Sequence, residues 1–135
     1  MAGLAYLDSS ALVKLVVAEP ETSALEADLA NRDGLFASRL AALECRRAVR
    51  RVPGKRLIGS VEDMLTAVLL MDITPAVLET AARVDPPLLR SLDAIHIATA
   101  LATHDPDVEV VTYDNRLADA AAANGLRVVQ PGVRK

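Results

Sequence analysis

The sequence predicts an α/β domain built on a central parallel β-sheet flanked by helices on both faces, and two observations carry that expectation. Short apolar runs such as Leu4-Ala5-Tyr6-Leu7 end in turn-forming or capping residues, as strands buried within a sheet do. Segments with helical spacing alternate with these runs along the whole chain, and such alternation implies parallel strands joined by helices that cover the sheet. The 135 residues are expected to form one domain, spanning 1–135, that buries roughly two-thirds of the surface of its unfolded chain.

The first run, residues 4–7, reads as a strand that delivers Asp8 to its carboxyl end, with Ser9 or Ser10 capping the helix that follows. Pro20, between Glu19 and Glu21, suits the first turn of a second helix running to about Asn31. Asp33-Gly34 is a turn, residues 35–37 form a short buried strand, and Ser38 caps a helix over 39–51 that stops at Pro53-Gly54. A polar stretch leads to a helix over 61–70, with Ser60 and Asp63 in capping-box-like positions, and Met71-Asp72-Ile73 reads as an edge strand. Thr74 and Pro75 open a helix to Val84, which the loop Asp85-Pro86-Pro87 ends. Ser91 starts a helix over 92–103 that is apolar or small on nearly every face and is therefore expected to be buried. Residues 108–112 form a β-branched strand ending at Tyr113, Asp114 and Asn115. An alanine-rich helix over 116–124 follows, closed by Gly125, then a last strand over 126–129 and a basic tail.

Composition narrows the function. Aromatic residues are 2% of the chain against 52% hydrophobic, so the core is aliphatic and the stacking platforms of sequence-tolerant single-strand binders are nearly absent. Any nucleic-acid contact must then be mainly to phosphates and shape. The net charge of −3 neither announces nor excludes such a partner. Cys45 is the only cysteine, which excludes an internal disulfide and a thiolate zinc cage. No signal-peptide pattern or membrane span is legible, and a reducing cytoplasm is the expected setting.

Four carboxylates stand at comparable places: Asp8 after the first strand, Glu44 inside the third helix, Asp93 in the first turn of the buried helix, and Asp114 after the penultimate strand. Strand ends of this kind line the ligand crevice of open α/β sheets. Taken singly, each has an ordinary reading: a turn residue for Asp8, an ion pair with Arg47 for Glu44, and a helix-dipole preference for Asp93. Asp93 is the most informative, because a carboxylate in so apolar a helix is costly to bury unless paired or metal-bound. As a set they suit a hard cation such as Mg²⁺ or Mn²⁺, and hydrolysis of a phosphodiester is the economical chemistry for such a site.

The stretches Tyr6-Leu7-Asp8-Ser9-Ser10-Ala11-Leu12-Val13-Lys14-Leu15, Leu92-Asp93-Ala94-Ile95-His96-Ile97-Ala98-Thr99-Ala100 and Val111-Thr112-Tyr113-Asp114-Asn115-Arg116-Leu117-Ala118 resemble the PIN-domain ribonucleases, particularly the VapC toxins. The resemblance covers essentially the whole chain, although the Glu44 region matches mainly by position. It implies a PIN-like three-layer α/β fold and an acidic pocket in which Asp8, Glu44, Asp93 and Asp114 bind Mg²⁺ or Mn²⁺, supported by Thr112. It also implies a metal-dependent endoribonuclease acting on RNA, a VapB-type antitoxin partner and a homodimer. His96 reads as a structural imidazole, since the family pattern assigns the metal to carboxylates.

Two other readings compete. Phosphoaspartyl chemistry, as in receiver domains or haloacid-dehalogenase-type phosphatases, also places Asp at a strand end. Asp8-Ser9-Ser10 lacks the second Asp that the phosphatases use, however, and no adjacent acidic pair or late-strand Lys fits a receiver. A non-catalytic PIN scaffold binding RNA or protein is the other, and four intact carboxylates weigh against it. The segment 39–56 holds seven of the fifteen basic residues, and either a phosphate or partner contact or a solvated face accounts for it.

Overall fold

The computed structural model describes residues 3–134; Met1, Ala2 and the final basic residue of the tail, Lys135, lie outside the described residues. In chain order the elements are β1 (Leu4–Leu7), α1 (Ser9–Lys14), α2 (Thr22–Leu29), β2 (Gly34–Ser38), α3 (Arg39–Val49), α4 (Ile58–Leu65), β3 (Leu69–Met71), α5 (Pro75–Ala81), α6 (Ser91–Leu101), β4 (Glu109–Val111), α7 (Asn115–Ala123) and β5 (Arg127–Val129). The strands form one sheet in the order β3-β2-β1-β4-β5, and every neighbouring pair is parallel.

The run Leu4-Ala5-Tyr6-Leu7 shows no polar alternation because both of its faces are covered. Ala5 and Leu7 point into one core with Leu12, Leu25, Ala41, Cys45 and Val61, residues of α1 to α4. Tyr6 points the other way, into a core with Ile97 and Ala100 of α6 and Leu117 and Ala121 of α7. The result is the expected three layers. Burying each such aliphatic side chain contributes roughly 1.5–3 kcal/mol, which is how a core nearly free of rings holds the sheet.

Several boundaries differ from the sequence expectation, each for a local reason. Neither Ser9 nor Ser10 caps α1: Asp8 does, its Oδ1 accepting from the Ala11 backbone N–H at 3.1 Å. Ser60 caps nothing, since α4 begins at Ile58 and already ends at Leu65. The edge strand accordingly falls at Leu69–Met71 rather than at 71–73. Apolar Val68 to Leu70 continue the helical pattern on paper, but pairing with β2 claims them as strand. Ser38, Thr74 and Gly125 behave as expected. Ser38 Oγ accepts from the Leu40 N–H, Thr74 Oγ1 accepts from the Val77 N–H, and Gly125 follows α7 with φ +79°.

The strand order places β1 in the middle of the sheet, between β2 and β4. The chain runs from β1 outward to one side, then crosses to the other side for β4, so a crevice opens beyond the carboxyl ends of β1 and β4. Asp8 stands at the end of β1 and Asp114 just beyond β4. No helix among the described residues is long and apolar enough to cross a membrane.

Candidate active site

Asp8 is almost wholly buried, at 3% exposure, and is held from three directions. The Ser10 hydroxyl donates to Oδ1 at 2.6 Å, alongside the Ala11 N–H, and the Thr112 hydroxyl donates to Oδ2 at 2.7 Å. Ser10 and Thr112 are themselves fixed, because the Tyr113 N–H donates to Ser10 Oγ at 2.8 Å and the Asp114 N–H donates to Thr112 Oγ1 at 3.0 Å. Thus the turn after β4 locks the residue after β1. Oδ1 has both lone pairs engaged, whereas Oδ2 keeps one open. Burial raises the Asp8 pKa above the usual carboxylate value, against the lowering effect of its Ser10 and Thr112 hydrogen bonds.

Asp114 caps α7, its Oδ1 accepting from the Arg116 and Leu117 N–H groups at 2.9 and 3.4 Å. Glu44, on α3, uses one oxygen. His96 Nε2 lies 2.8 Å from Glu44 Oε1, and His96 Nδ1 lies 2.8 Å from the Tyr6 hydroxyl. An ionised Glu44 can only accept, so His96 Nε2 donates to it; in the singly protonated ring Nδ1 then accepts from the Tyr6 hydroxyl, whose oxygen in turn accepts from the Ser38 N–H at 3.3 Å. Burial foremost, with the Asp8 and Glu44 charges adding to it, pushes the Tyr6 phenol far above its ordinary pKa and keeps it a donor.

Asp8, Glu44 and Asp114 line one cleft of about 530 Å³, together with Lys14, Arg47 and Arg51. Asp93, in the first turn of α6, stands beside it and faces an adjoining hollow with Arg116 and Asp119. It remains within electrostatic reach of the cleft. Partial burial, then the Asp114 charge, with a smaller contribution from Glu44, raises its pKa against the opposing His96 and Arg90. The structure therefore gathers three of the four expected residues along one wall and sets the fourth at its edge. Among the described residues no three His, Cys, Asp or Glu side chains are drawn together around one point.

The carboxylates at the cleft lack the basic partners that several others on the surface have. Glu19 and Glu21 share Lys14, Asp72 pairs with Arg39, and Glu62 pairs with Arg46, whereas among the described residues no Lys or Arg pairs with Asp8, Glu44, Asp93 or Asp114. The ion pair of Glu44 with Arg47 that the sequence allowed is not formed; His96 is the partner instead. Hard carboxylate oxygens with open lone pairs and no cation of their own are the donor chemistry that suits Mg²⁺ or Mn²⁺.

The sequence names Asp8, Thr112, Asp114, Asp93 and Glu44 as candidates, gives Ser10 a capping role and offers no polar task for Tyr6. The serine following a strand-end Asp by two residues was the available signal for Ser10. Tyr6 carried none, because its partner lies 90 residues away.

A parallel sheet between two layers of helices, with Asp8, Glu44 and Asp114 lining one cleft beyond its carboxyl edge, defines an α/β domain with an acidic cleft. Comparison with known proteins specifies the kind. The PIN domain family model matches residues 5–123, and the chain belongs to that family. It is 44% identical over 131 residues to the Mycobacterium tuberculosis protein Ribonuclease VapC35, covering 94% of this chain and 96% of that one. It is 39% identical over 132 residues to Ribonuclease VapC46 of the same species, covering 93% and 96%. Among solved structures it resembles the sarcin-ricin loop cleaving toxin VapC20 of M. tuberculosis, with a TM-score of 0.73 at 18% identity over 94% of this chain and 99% of that chain. A toxin-antitoxin complex from Klebsiella pneumoniae gives a TM-score of 0.72 at 19% identity over 94% and 97%. These last two likenesses concern the fold.

Proposed function

We propose that the protein is a metal-dependent endoribonuclease of the VapC kind, the toxin of a toxin-antitoxin pair. The observation that carries the reading is the uncompensated carboxylate group at the carboxyl edge of the sheet, in a chain 44% identical to a ribonuclease over nearly its whole length. Asp8, Glu44, Asp93 and Asp114 would hold one or two Mg²⁺ or Mn²⁺ ions. A bound divalent cation supplies an activated water and offsets the charge that develops on the phosphate and leaving oxygen.

The remaining parts belong to the chain. Asp8 is fixed by Ser10, Ala11 and Thr112, so its open lone pair has a set direction. Arg47, in the last turns of α3, and Arg51, just beyond its C-terminal end, line the cleft with no acidic partner among the described residues and are placed to take RNA phosphates. Arg50, Lys55 and Arg56, also without an ion pair among the described residues, line a second hollow beside the end of α3 and add to this positive surface. Arg39 and Arg46 do not line the cleft and are instead bonded to Asp72 and Glu62. The basic cluster thus divides into a paired face and an open one.

Purified protein is expected to cleave RNA in Mg²⁺ or Mn²⁺ and to stop in EDTA. Cleavage that continues in EDTA overturns the metal reading, and binding of RNA without cleavage in either metal favours a non-catalytic scaffold. For the positive track, Arg47→Ala combined with Arg51→Ala should weaken RNA binding and reduce the slope of log K against log salt by about 1–2, as expected for two lost contacts to a single strand. Arg46→Ala should leave that slope unchanged. Equal slopes in all three proteins would return Arg47 and Arg51 to an ordinary solvated surface.

The same reading includes a VapB-type antitoxin that covers the cleft and a homodimer in the cytoplasm. Co-purification with the product of an adjacent small gene, and light scattering of the isolated chain, test these two partners separately.

A further inference from the structure

We propose that Tyr6 and His96 are positioning residues for Glu44, forming a buried chain that runs from the Ser38 backbone to the carboxylate cleft and fixes which oxygen of Glu44 faces the ligand. The proposal rests on the metal-site reading above and adds to it two residues that do not touch the ligand.

The geometry has a single direction. The Ser38 N–H donates to Tyr6 Oη, Tyr6 donates to His96 Nδ1, and His96 Nε2–H donates to Glu44 Oε1, each step within 3.3 Å. Ser38 also caps α3, the helix that carries Glu44. One end of the chain is therefore the start of the helix whose side chain stands at the other end. Tyr6 is fully buried and His96 is 4% exposed, while Glu44 is about one-third exposed and opens on the cleft. A glutamate of that exposure, alone on a helix face, would sample several rotamers at little cost. With Oε1 held by the imidazole, the free Oε2 is the oxygen available to a cation. The arrangement resembles the carboxylate and histidine supports behind metal ligands in general, whose loss typically weakens metal affinity or activity 10–100-fold.

Structural duty alone would not require this wiring. Tyr6 lies against His96 edge to face, with ring centroids 6.1 Å apart, and an apolar pair could fill the same volume. The polar atoms are nonetheless consecutive, all satisfied, and end on a candidate ligand that the sheet does not anchor directly. Asp8 and Asp114 are both gripped by backbone N–H groups of their own turns. Glu44, in mid-helix, has no such group to use, and His96 takes that place.

The test measures Mn²⁺ binding by isothermal titration alongside cleavage and thermal melting for wild type, Tyr6→Phe, His96→Gln, His96→Leu, Glu44→Gln and Asp93→Asn. Tyr6→Phe removes one hydroxyl and should weaken Mn²⁺ several-fold. His96→Leu should weaken it about 10–100-fold, close to the effect of Glu44→Gln. His96→Gln keeps an N–H donor near the Nε2 position and should recover part of that loss. In each variant kcat should fall more than KM rises, since the RNA-binding arginines are untouched. If Tyr6→Phe and both His96 variants lower the melting temperature but bind Mn²⁺ as wild type does, while Glu44→Gln and Asp93→Asn bind it weakly, the positioning role is overturned and the metal reading stands. If Asp93→Asn alone is weakened, Glu44 is not a ligand and the proposal falls with it. Should His96→Leu fail to fold, Tyr6→Phe and His96→Gln still decide the matter. If the wild type shows no Mn²⁺ binding, both readings fail.

Discussion

Asp93→Asn is expected to reduce RNA cleavage by more than about 100-fold, beyond the 10–100-fold that loss of a supporting residue costs, while leaving the fold intact. The structural reason is that Asp93 makes no hydrogen bond or ion pair among the described residues, so the isosteric amide forfeits no such contact and removes only charge. That charge is costly in the metal-free protein, since burial and the nearby Asp114 already raise the Asp93 pKa. The variant should therefore melt at or slightly above the wild-type temperature without metal while being nearly inactive with it. Single-turnover cleavage assays and paired melts measure the two quantities. Near-normal turnover would remove Asp93 from the site, and inactivity accompanied by a large loss of stability would assign it a structural role.

The second large effect concerns Asp8, where stability and metal binding should move in opposite directions. Its carboxylate is buried without a countercharge and its pKa is raised. A carboxyl group whose folded-state pKa exceeds the unfolded value of 3.8 binds its proton more tightly when folded, so it destabilises the fold above that range and the penalty disappears as pH falls. Metal-free wild type should therefore lose stability, relative to Asp8→Asn, as pH rises from about 4 through the raised pKa to neutrality. At neutral pH the variant should melt higher, by about 4 °C for each ~1 kcal/mol relieved in a domain of this size. The Asn side chain can keep the bonds at both ends: its carbonyl accepts from Ser10 and Ala11, and its amide donates to Thr112 Oγ1. Mn²⁺ should raise the wild-type melting temperature much more than that of the variant, because a weakened site adds less binding energy to the folded state. Four melts, with and without Mn²⁺, decide it. A variant that is less stable in both conditions with an undiminished Mn²⁺ shift would show that the cap of α1 is the whole duty of Asp8.

The sheet was legible because its strands are short apolar runs bounded by polar punctuation, and the end of β1 followed from Leu4-Ala5-Tyr6-Leu7-Asp8 alone. The helix–strand border at 65–71 was not, because Val68, Leu69 and Leu70 satisfy both patterns and only pairing with β2 chooses between them. At the site, position along the chain pointed to Asp8 and Asp114, since residues that end strands must gather at one edge of a parallel sheet. Asp8 also shows that the ordinary and the functional readings need not exclude each other: it is the cap of α1 and lines the cleft at once. Partnerships were less accessible. Glu44 had a suitable helical neighbour in Arg47, yet its bond goes to His96, 52 residues on. Nothing in local spacing distinguishes Arg46, held by Glu62, from Arg47, which opens on the cleft.

The position of β4 bears on when a newly made chain becomes dangerous to its own cell. Until β4 docks, β1 is the bare margin of a three-stranded sheet, and Asp8 lacks Thr112 as Asp114 lacks its place beside the cleft. The Asp8–Thr112 bond spans 104 residues, so the segments that complete the site are synthesised long after β1. On the proposed function, a nascent chain would lack a complete site until β4 and the turn after it are made, while it is attached to the translating ribosome and surrounded by RNA. The delay in activity is written into the order in which the strands are made.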